Sequence, residues 1–434
     1  MSLQYKMSFI KWMFIITSCL FLLSACRAPK KSPREKYADG LSDAGLKETS
    51  MGSLWFAAAE KSLNQPLSIT IPYKETGYFA ADKPGAAGYI FAAQRGEQLS
   101  VATIINPVNG SLLFAELWEV IENDKPRLLE ASDTAHSFQY EIEKDGRYVV
   151  RLQPELLRGI EYTVTITTRP SLTFPVRAID SPRILSFWGV ERDAGMRRHE
   201  GIDIFAKKRT PVVASADGRV TRVGENRLGG KIVYMRPKEK KYSLYYAHLD
   251  TQIAKDGQQV RKGDVLGLMG NTGNAITTPP HLHFGIYTAG GAIDPFPFVN
   301  TERPKPKEIT ASTLQLNKYV RNQSATNMYA TPFADAENFI KLDANNILYV
   351  LAATDNWYRV TSPDGREGFI ISSSITNQPL QKQTIRETTR LLDLPDSTSA
   401  AKKLLAKGVS VSVLGTYNNY YFIEDNETKG WLKK

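Results

Sequence analysis

The sequence predicts a mainly β protein that is built from several domains. Its 434 residues correspond to about three domains at roughly 150 residues each. After residue 65, the chain consists mostly of short segments in which apolar and polar residues alternate, which is the pattern of half-buried strands. Apolar residues make up 42% and charged residues 23% of the chain, which suits globular cores and excludes a collagen-like, disordered or polytopic membrane protein.

Residues 1–25 have the features of a signal peptide. They include Lys6 and Lys11, no acidic residue, and an apolar run of about 12 residues, whereas a membrane-spanning helix needs roughly 20. The segment ends in Leu23-Ser24-Ala25-Cys26, which resembles a bacterial lipobox. That resemblance implies cleavage before Cys26, lipidation of its thiol and an extracytoplasmic, membrane-anchored lipoprotein that faces the periplasm. The alternative is ordinary secretory cleavage after Ala25.

Two different segments follow the signal peptide. Residues 26–64 are rich in Lys, Pro, Ser and Gly in their first part and are predicted to be a flexible tether that ends in a short helix over Leu54–Leu63. Residues 65–178 show alternating strand patterns separated by turn signals such as Asp145-Gly146, without long helical patterns. We therefore expect a β-sandwich with a structural or binding role.

Residues 179–300 are predicted to form a second all-β domain. This segment is rich in glycine, and its short β-type runs are separated by turns such as Asp217-Gly218 and Lys262-Gly263-Asp264. Residues 301–312 begin with a run rich in Pro and Lys, which predicts a stiff linker.

The C-terminal part contains an internal repeat, which predicts two small barrels at 313–378 and 379–434. Pro332 and Pro395 are 63 positions apart, as are Leu342 and Leu405. Both copies place a Trp or Tyr before a turn and a Gly-aromatic pair after it, which resembles bacterial SH3-like domains. The resemblance implies binding to cell-wall peptide. The alternative is that these aromatic residues only fill two small cores.

The charge and the cysteines limit the partners and ligands. The formal net charge of +10 favours anionic partners such as cell wall or lipid headgroups. Nucleic acid is not expected, because the basic residues are spread along the chain without a recognition motif. The cysteines, Cys19 and Cys26, both precede the predicted domains, so the strong metal ligands available there are His, Asp and Glu.

Four of the five histidines lie between residues 199 and 283. His199 and Asp203 are four residues apart, in a segment whose glycine and β-branched residues favour an extended or turning backbone over a helix. His281 and His283 are two residues apart, so on a strand both side chains face one cleft. His248 lies at the end of another apolar strand.

These residue types suit a catalytic zinc site. Such a site takes three protein ligands, usually His and a carboxylate, and leaves a position for water. One Asp and two neutral His leave the ion a net positive charge, which keeps it a Lewis acid. Two further histidines could then handle protons near neutral pH. The alternative is that the four histidines are unrelated and merely cap strands.

Three motifs resemble the lysostaphin-type (LytM-like) zinc metallopeptidases of bacterial cell walls, over about residues 185–299. They are Arg198-His199-Glu200-Gly201-Ile202-Asp203, Tyr246-Ala247-His248-Leu249 and Pro280-His281-Leu282-His283-Phe284. The resemblance implies that His199, Asp203 and His283 bind Zn²⁺, and that His281 acts as general base on the attacking water. His248 would orient that water and stabilise the oxyanion. The implied reaction is hydrolysis of a peptide bond in a peptidoglycan cross-link.

Two departures from that family affect the rim of the expected cleft. The segment Asn274–Pro280 is about two residues longer than usual, and Gly285 replaces a common acidic residue. Some relatives that lack ligands activate cell-wall amidases, so a non-catalytic regulator of an amidase is the alternative function. Metalloprotease action on a protein substrate is a third. All five family positions are filled here, which favours catalysis on the wall.

Overall fold

The computed structural model describes residues 31–434, apart from 108–109, 123, 132–135, 178–180, 193–194, 334–338 and 427. The predicted signal peptide and Cys26 lie outside the described residues. The fold is mainly β, as the sequence predicts. None of the described helices is long and apolar enough to cross a membrane.

The segment that follows residue 31 is helical. Helix α1 (Pro33–Asp43) begins with a capping box, in which Ser32 and Glu35 each accept a hydrogen bond from the other's backbone N–H. A 3₁₀ turn (Leu46–Glu48) leads into helix α2 (Ser50–Asn64), which contains the helix predicted over Leu54–Leu63.

The expectation of a flexible tether is wrong for these residues, because apolar side chains dispersed among the Lys and Pro residues pack together. Trp55 is fully buried in a cluster with Leu41 and Phe114. The Arg34 guanidinium lies over the Trp55 ring at 4.8 Å and donates a hydrogen bond to Gln153 of the next domain.

A β-sandwich with one buried core follows, as the sequence predicts. Its strands are β1 (Leu67–Ser68), β2 (Tyr73–Phe79), β3 (Ala87–Ala93), β4 (Glu97–Asn106), β5 (Leu113–Val120), β6 (Arg127–Glu130), β7 (Phe138–Glu141), β8 (Gly146–Pro154) and β9 (Ile160–Pro170). One sheet has the order β1-β3-β8-β5-β6, and the other contains β2-β9-β4-β7.

The middle domain is built around one mostly antiparallel sheet. Its elements are β10 (Arg183–Ser186), β11 (Glu191–Arg192), β12 (Arg197–Arg198), β13 (Ile202–Phe205), β14 (Pro211–Val213), β15 (Gly218–Asn226), β16 (Gly230–Pro237), β17 (Tyr242–Gln252), β18 (Gln259–Val260), β19 (Val265–Met269), β20 (His281–Thr288), β21 (Gly291–Ile293) and helix α3 (Phe296–Val299). The order is β10-β13-β20-β17-β16-β15-β18, so β13 and β20 are neighbours in this sheet. A 3₁₀ turn (Gly273–Ala275) precedes β20.

Two further β units complete the chain. The first contains β22 (Tyr319–Asn322), β23 (Thr326–Tyr329), β24 (Phe339–Leu342), β25 (Ile347–Thr354), β26 (Trp357–Thr361), β27 (Glu367–Ile371) and β28 (Ile375–Thr376). The second contains β29 (Gln381–Thr384), β30 (Thr389–Leu392), β31 (Ala401–Leu405), β32 (Ser410–Tyr417), β33 (Tyr420–Asp425) and β34 (Thr428–Lys433). Each has its own apolar core.

These two units form sheets, and the predicted closure into barrels is not seen among the described residues. In the second unit the strand order β29-β32-β33-β34-β30-β31 leaves β29 and β31 at opposite ends. In the first unit, β25 pairs with β2 of the sandwich through Thr76–Ala353 and Gly77–Ala352. The sandwich sheet therefore continues into the first C-terminal unit.

Candidate metal centre

Strand pairing brings the predicted metal ligands together. β13 and β20 are antiparallel, and their register places Asp203 directly opposite His283. His199 comes just after the short hairpin formed by β11 and β12 and enters the same site from the loop before β13. The expectation of an extended or turning backbone from His199 to Asp203, with both β20 histidines on one side, is confirmed.

Three ligand atoms converge at one point. His199 Nε2, Asp203 Oδ1 and His283 Nδ1 lie 3.0 Å from one another in each of the three pairs. His199 and Asp203 are buried, and His283 is partly buried. This arrangement of donors could hold a metal ion.

The chemistry of these donors fits zinc. His199 Nδ1 donates its proton to the Phe187 carbonyl oxygen at 2.9 Å, so Nε2 presents a lone pair to the other two ligands. An ionised Asp203 also offers only lone pairs. Of the three close atoms, only His283 Nδ1 can therefore carry a proton, and one proton cannot link all three by hydrogen bonds. A cation satisfies all three. Zinc binds His nitrogen and carboxylate oxygen at about 2.0–2.2 Å, which brings ligand atoms to about 3.3 Å from one another.

The protonation states also favour metal binding. Burial acts to raise the pKa of Asp203, but the hydrogen bonds with His199 and His283 outweigh it and hold that pKa well below its usual range. Burial lowers the pKa of His283. Both groups are therefore in their metal-binding forms near neutral pH.

The two remaining histidines are adjacent to the triangle of ligands. His281 Nδ1 lies 2.9 Å from the Pro279 carbonyl oxygen, and the His281 ring stacks on Phe205 with 4.8 Å between centroids. His248 Nδ1 lies 2.8 Å from the Thr272 carbonyl oxygen. If each Nδ1 carries the donated proton, each Nε2 is an acceptor. The two rings are 4.9 Å apart between centroids.

His248 is held in an unusual backbone conformation. Its φ is +62°, and its N–H donates to the Gly229 carbonyl oxygen at 2.7 Å. Burial, followed by the charges of His281 and His283, lowers the pKa of His248 to about 4. His248 is therefore neutral at physiological pH.

All five predicted residues line one open cleft with a volume of about 1090 Å³. Its described lining residues all lie between Leu185 and Ala292, so the sandwich and the C-terminal units contribute none of them. Trp188, Tyr245 and Tyr287 supply aromatic surface.

Gly285, where an acidic residue is expected, leaves space for the side chain of Tyr287 at the rim of the cleft. A Cβ at Gly285 would lie 2.9 Å from Cε2 of the Tyr287 ring, so glycine allows that ring to lie against the strand. Tyr287 Oη donates to a Glu200 carboxylate oxygen at 3.4 Å. This rim therefore presents a tyrosine in place of the expected acidic side chain.

The sequence missed two residues that contact the ligands. Arg192 Nη2 donates to Asp203 Oδ2 at 2.8 Å and to Ser186 Oγ at 2.6 Å. Neither residue belongs to the three motifs. The sequence offered only a weak indication of these contacts, namely that Ser186 and Arg192 lie shortly before His199.

Comparison with known proteins identifies this domain. Residues 197–295 match the sequence profile of Peptidase family M23. The chain is 40% identical over 135 residues to an L-Ala–D-Glu endopeptidase of Bacillus subtilis, a match that covers 28% of this chain and 40% of that protein. It is 33% identical over 102 residues to the murein hydrolase activator NlpD of Escherichia coli, with 23% of this chain and 26% of that protein covered.

The solved structure of LytU is 35% identical and covers 28% of this chain and 87% of the LytU chain, with a TM-score of 0.26. The matches span 21% and 40% of the length of the first two curated relatives. The matched residues include the full triangle of ligands and both further histidines. Residues 197–295 of this chain thus form a LytM-like domain of Peptidase family M23.

Proposed function

We propose that this chain is a zinc-dependent endopeptidase that hydrolyses peptide bonds in peptidoglycan cross-links. The observation that carries the proposal is the convergence of His199 Nε2, Asp203 Oδ1 and His283 Nδ1 at 3.0 Å, in a cleft that also contains His281 and His248. A regulator that only docks another hydrolase does not need this combination.

The histidines outside the triangle have distinct roles in this proposal. When bound, zinc supplies a Lewis acid that polarises the scissile carbonyl group and acidifies the attacking water. His281, with Nδ1–H held by Pro279, has Nε2 available to take the proton of that water. His248, with Nδ1–H held by Thr272, orients the water by accepting a hydrogen bond at Nε2. The oxyanion role implied by the family needs a proton on that Nε2, which this tautomer lacks.

The relatives support two functions. The similarity to an L-Ala–D-Glu endopeptidase favours catalysis, and the similarity to an activator of murein hydrolases favours the amidase-regulator alternative. We favour catalysis because every residue that the chemistry needs is present and faces the same cleft. Lipidation at Cys26, an extracytoplasmic membrane anchor and wall binding by the two SH3-like units belong to the same proposal.

Digestion of purified sacculi tests the proposal. The mature chain, kept soluble in mild detergent, is incubated with sacculi with and without a chelator, and the released muropeptides are analysed by mass spectrometry. We expect loss of cross-linked dimers, inhibition by the chelator and recovery on addition of zinc. A protein that binds one zinc but leaves the cross-links intact, alone, and stimulates a cell-wall amidase would support the regulator instead.

A further inference from the structure

We propose that Arg192 and Ser186 are positioning residues that hold two metal ligands in their binding orientations. This inference rests on the zinc site of the proposed function and extends it to residues outside the three motifs. Arg192 Nη2 donates to Asp203 Oδ2 at 2.8 Å and to Ser186 Oγ at 2.6 Å. Ser186 Oγ in turn lies 3.3 Å from His199 Nδ1.

Strand pairing places both residues beside the ligands. Ser186 is paired with Asp203 across β10 and β13, next to an irregularity in the register. Arg192 lies on β11, which pairs with β12, and His199 follows β12 directly. The hairpin that places His199 in the site therefore also places the Arg192 guanidinium beside Asp203.

The contact with Asp203 differs from an ordinary surface ion pair. The Asp203 side chain is 9% exposed and that of Arg192 is 31% exposed, so solvent screens this pair only in part. The hydrogen bond occupies Oδ2, while Oδ1 faces His199 and His283. Arg192 thereby directs Asp203 to bind a metal through one oxygen, which leaves room on the ion for water and substrate.

Zinc affinity of the full mature chain tests the inference. We compare wild type with Arg192→Met, Arg192→Lys and Ser186→Ala by competition with a chromophoric chelator. The loss of such a supporting contact typically weakens metal binding by about 10- to 100-fold. We expect that range for Arg192→Met, a smaller loss for Ser186→Ala, and partial rescue in Arg192→Lys, whose single ammonium group can still reach Asp203. The matched control is Arg219→Met, because Arg219 is exposed and bonds only the Gly257 carbonyl oxygen among the described residues.

The absorption spectrum of the cobalt-substituted protein gives a second readout. Without Arg192, Oδ2 is free to bind, so the coordination number should rise and the visible absorption of Co²⁺ should weaken. If Arg192→Met does not fold, judged by circular dichroism, then Arg192→Lys and Ser186→Ala decide the question.

Unchanged zinc affinity and an unchanged cobalt spectrum in the folded variants would overturn the inference. Zinc affinity and the cobalt spectrum can be measured whether or not the protein cleaves sacculi. A wild-type chain that binds zinc but does not digest sacculi would contradict the proposed function, and the positioning role could still be tested. A wild-type chain that binds no zinc would contradict both.

Discussion

At the scale of single residues, His281 and His283 of β20 line one cleft, and Asp203 beside them accepts a hydrogen bond from Arg192 of a separate hairpin. The alternation of a strand was enough to place His281 and His283 on one face. The contact between Asp203 and Arg192 could not be predicted in this way, because it depends on a hairpin that folds back beside β13. No spacing rule relates residues on two separately paired strands.

The roles of the two β20 histidines can be separated by substitution. We expect His283→Ala to lose both zinc and activity, because it removes a ligand. We expect His281→Ala to keep zinc and to lose about 10²- to 10⁴-fold in turnover, the usual contribution of a general base. Zinc content and the rate of muropeptide release are the measurements, and His136→Ala, in the sandwich, is the control that should change neither.

Cleavage by a metal-free His283→Ala protein would contradict the assignment of that ligand. Near wild-type turnover in His281→Ala would show that another group is the base.

At the scale of elements, local patterns predicted strands well and packing poorly. The alternation of apolar and polar residues correctly indicated the sandwich and the sheet of the middle domain. Composition failed for residues 33–50, where the buried Leu41 and the partly buried Tyr37 and Ala38 pack into an apolar cluster among many polar residues. The internal repeat wrongly predicted closed barrels, and in the first unit β25 pairs with β2, which is far away in the sequence.

The turn before β20 gives a prediction at this scale. Gly273 has φ +71°, and a Cβ there would lie 2.3 Å from Gly230 N and 2.4 Å from the Leu228 carbonyl oxygen. We expect Gly273→Ala to push these backbones apart, to move the adjacent Thr272 carbonyl that holds His248, and to lower turnover about 10-fold or more while zinc remains bound. Its cost in stability should be about 1–3 kcal/mol.

The matched control is Gly263→Ala. Gly263 also has positive φ, but beyond its chain neighbours no atom of a described residue lies within 4 Å of its added Cβ. The loss of stability in Gly263→Ala therefore measures the backbone strain alone, which is about 1–2 kcal/mol. Equal turnover in the two variants would contradict a role for the contact in placing His248.

At the scale of the whole molecule, the sandwich and the first C-terminal unit share a buried charge cluster. Glu75 is fully buried and accepts hydrogen bonds from Tyr73, Tyr89 and Tyr162 at 2.7–2.9 Å. Arg359, on β26, donates to the same carboxylate at 3.0 and 3.3 Å. The contact between Glu75 and Arg359 could not be predicted from one sequence, because the two residues are 284 positions apart.

Removing one partner should uncouple these two parts of the chain. We expect Arg359→Met to lower the free energy of unfolding by about 3–5 kcal/mol, because it leaves a buried charge unpaired. The control Arg366→Met breaks an exposed ion pair with Asp364 and should cost at most about 1 kcal/mol. Calorimetry measures both, and equal effects would contradict the importance of the buried pair.

The same cluster predicts a dependence on pH. Burial acts to raise the pKa of Glu75, but Arg359 and the tyrosine hydroxyls outweigh it and lower that pKa below its value in the unfolded chain. The stabilisation is therefore present above about pH 4.5 and is lost as the pH falls through the folded pKa. The difference in unfolding free energy between wild type and Glu75→Gln should shrink in acid. A difference that stays constant would contradict this direction.

The central claim is that one zinc, held by His199, Asp203 and His283, is required for hydrolysis of peptidoglycan. Titration of zinc into the metal-free chain, with release of muropeptides from sacculi as the signal, tests it most directly. The account predicts that cleavage rises in proportion to added zinc and reaches a plateau at one equivalent. Cleavage without zinc, or one bound zinc without cleavage, would contradict it.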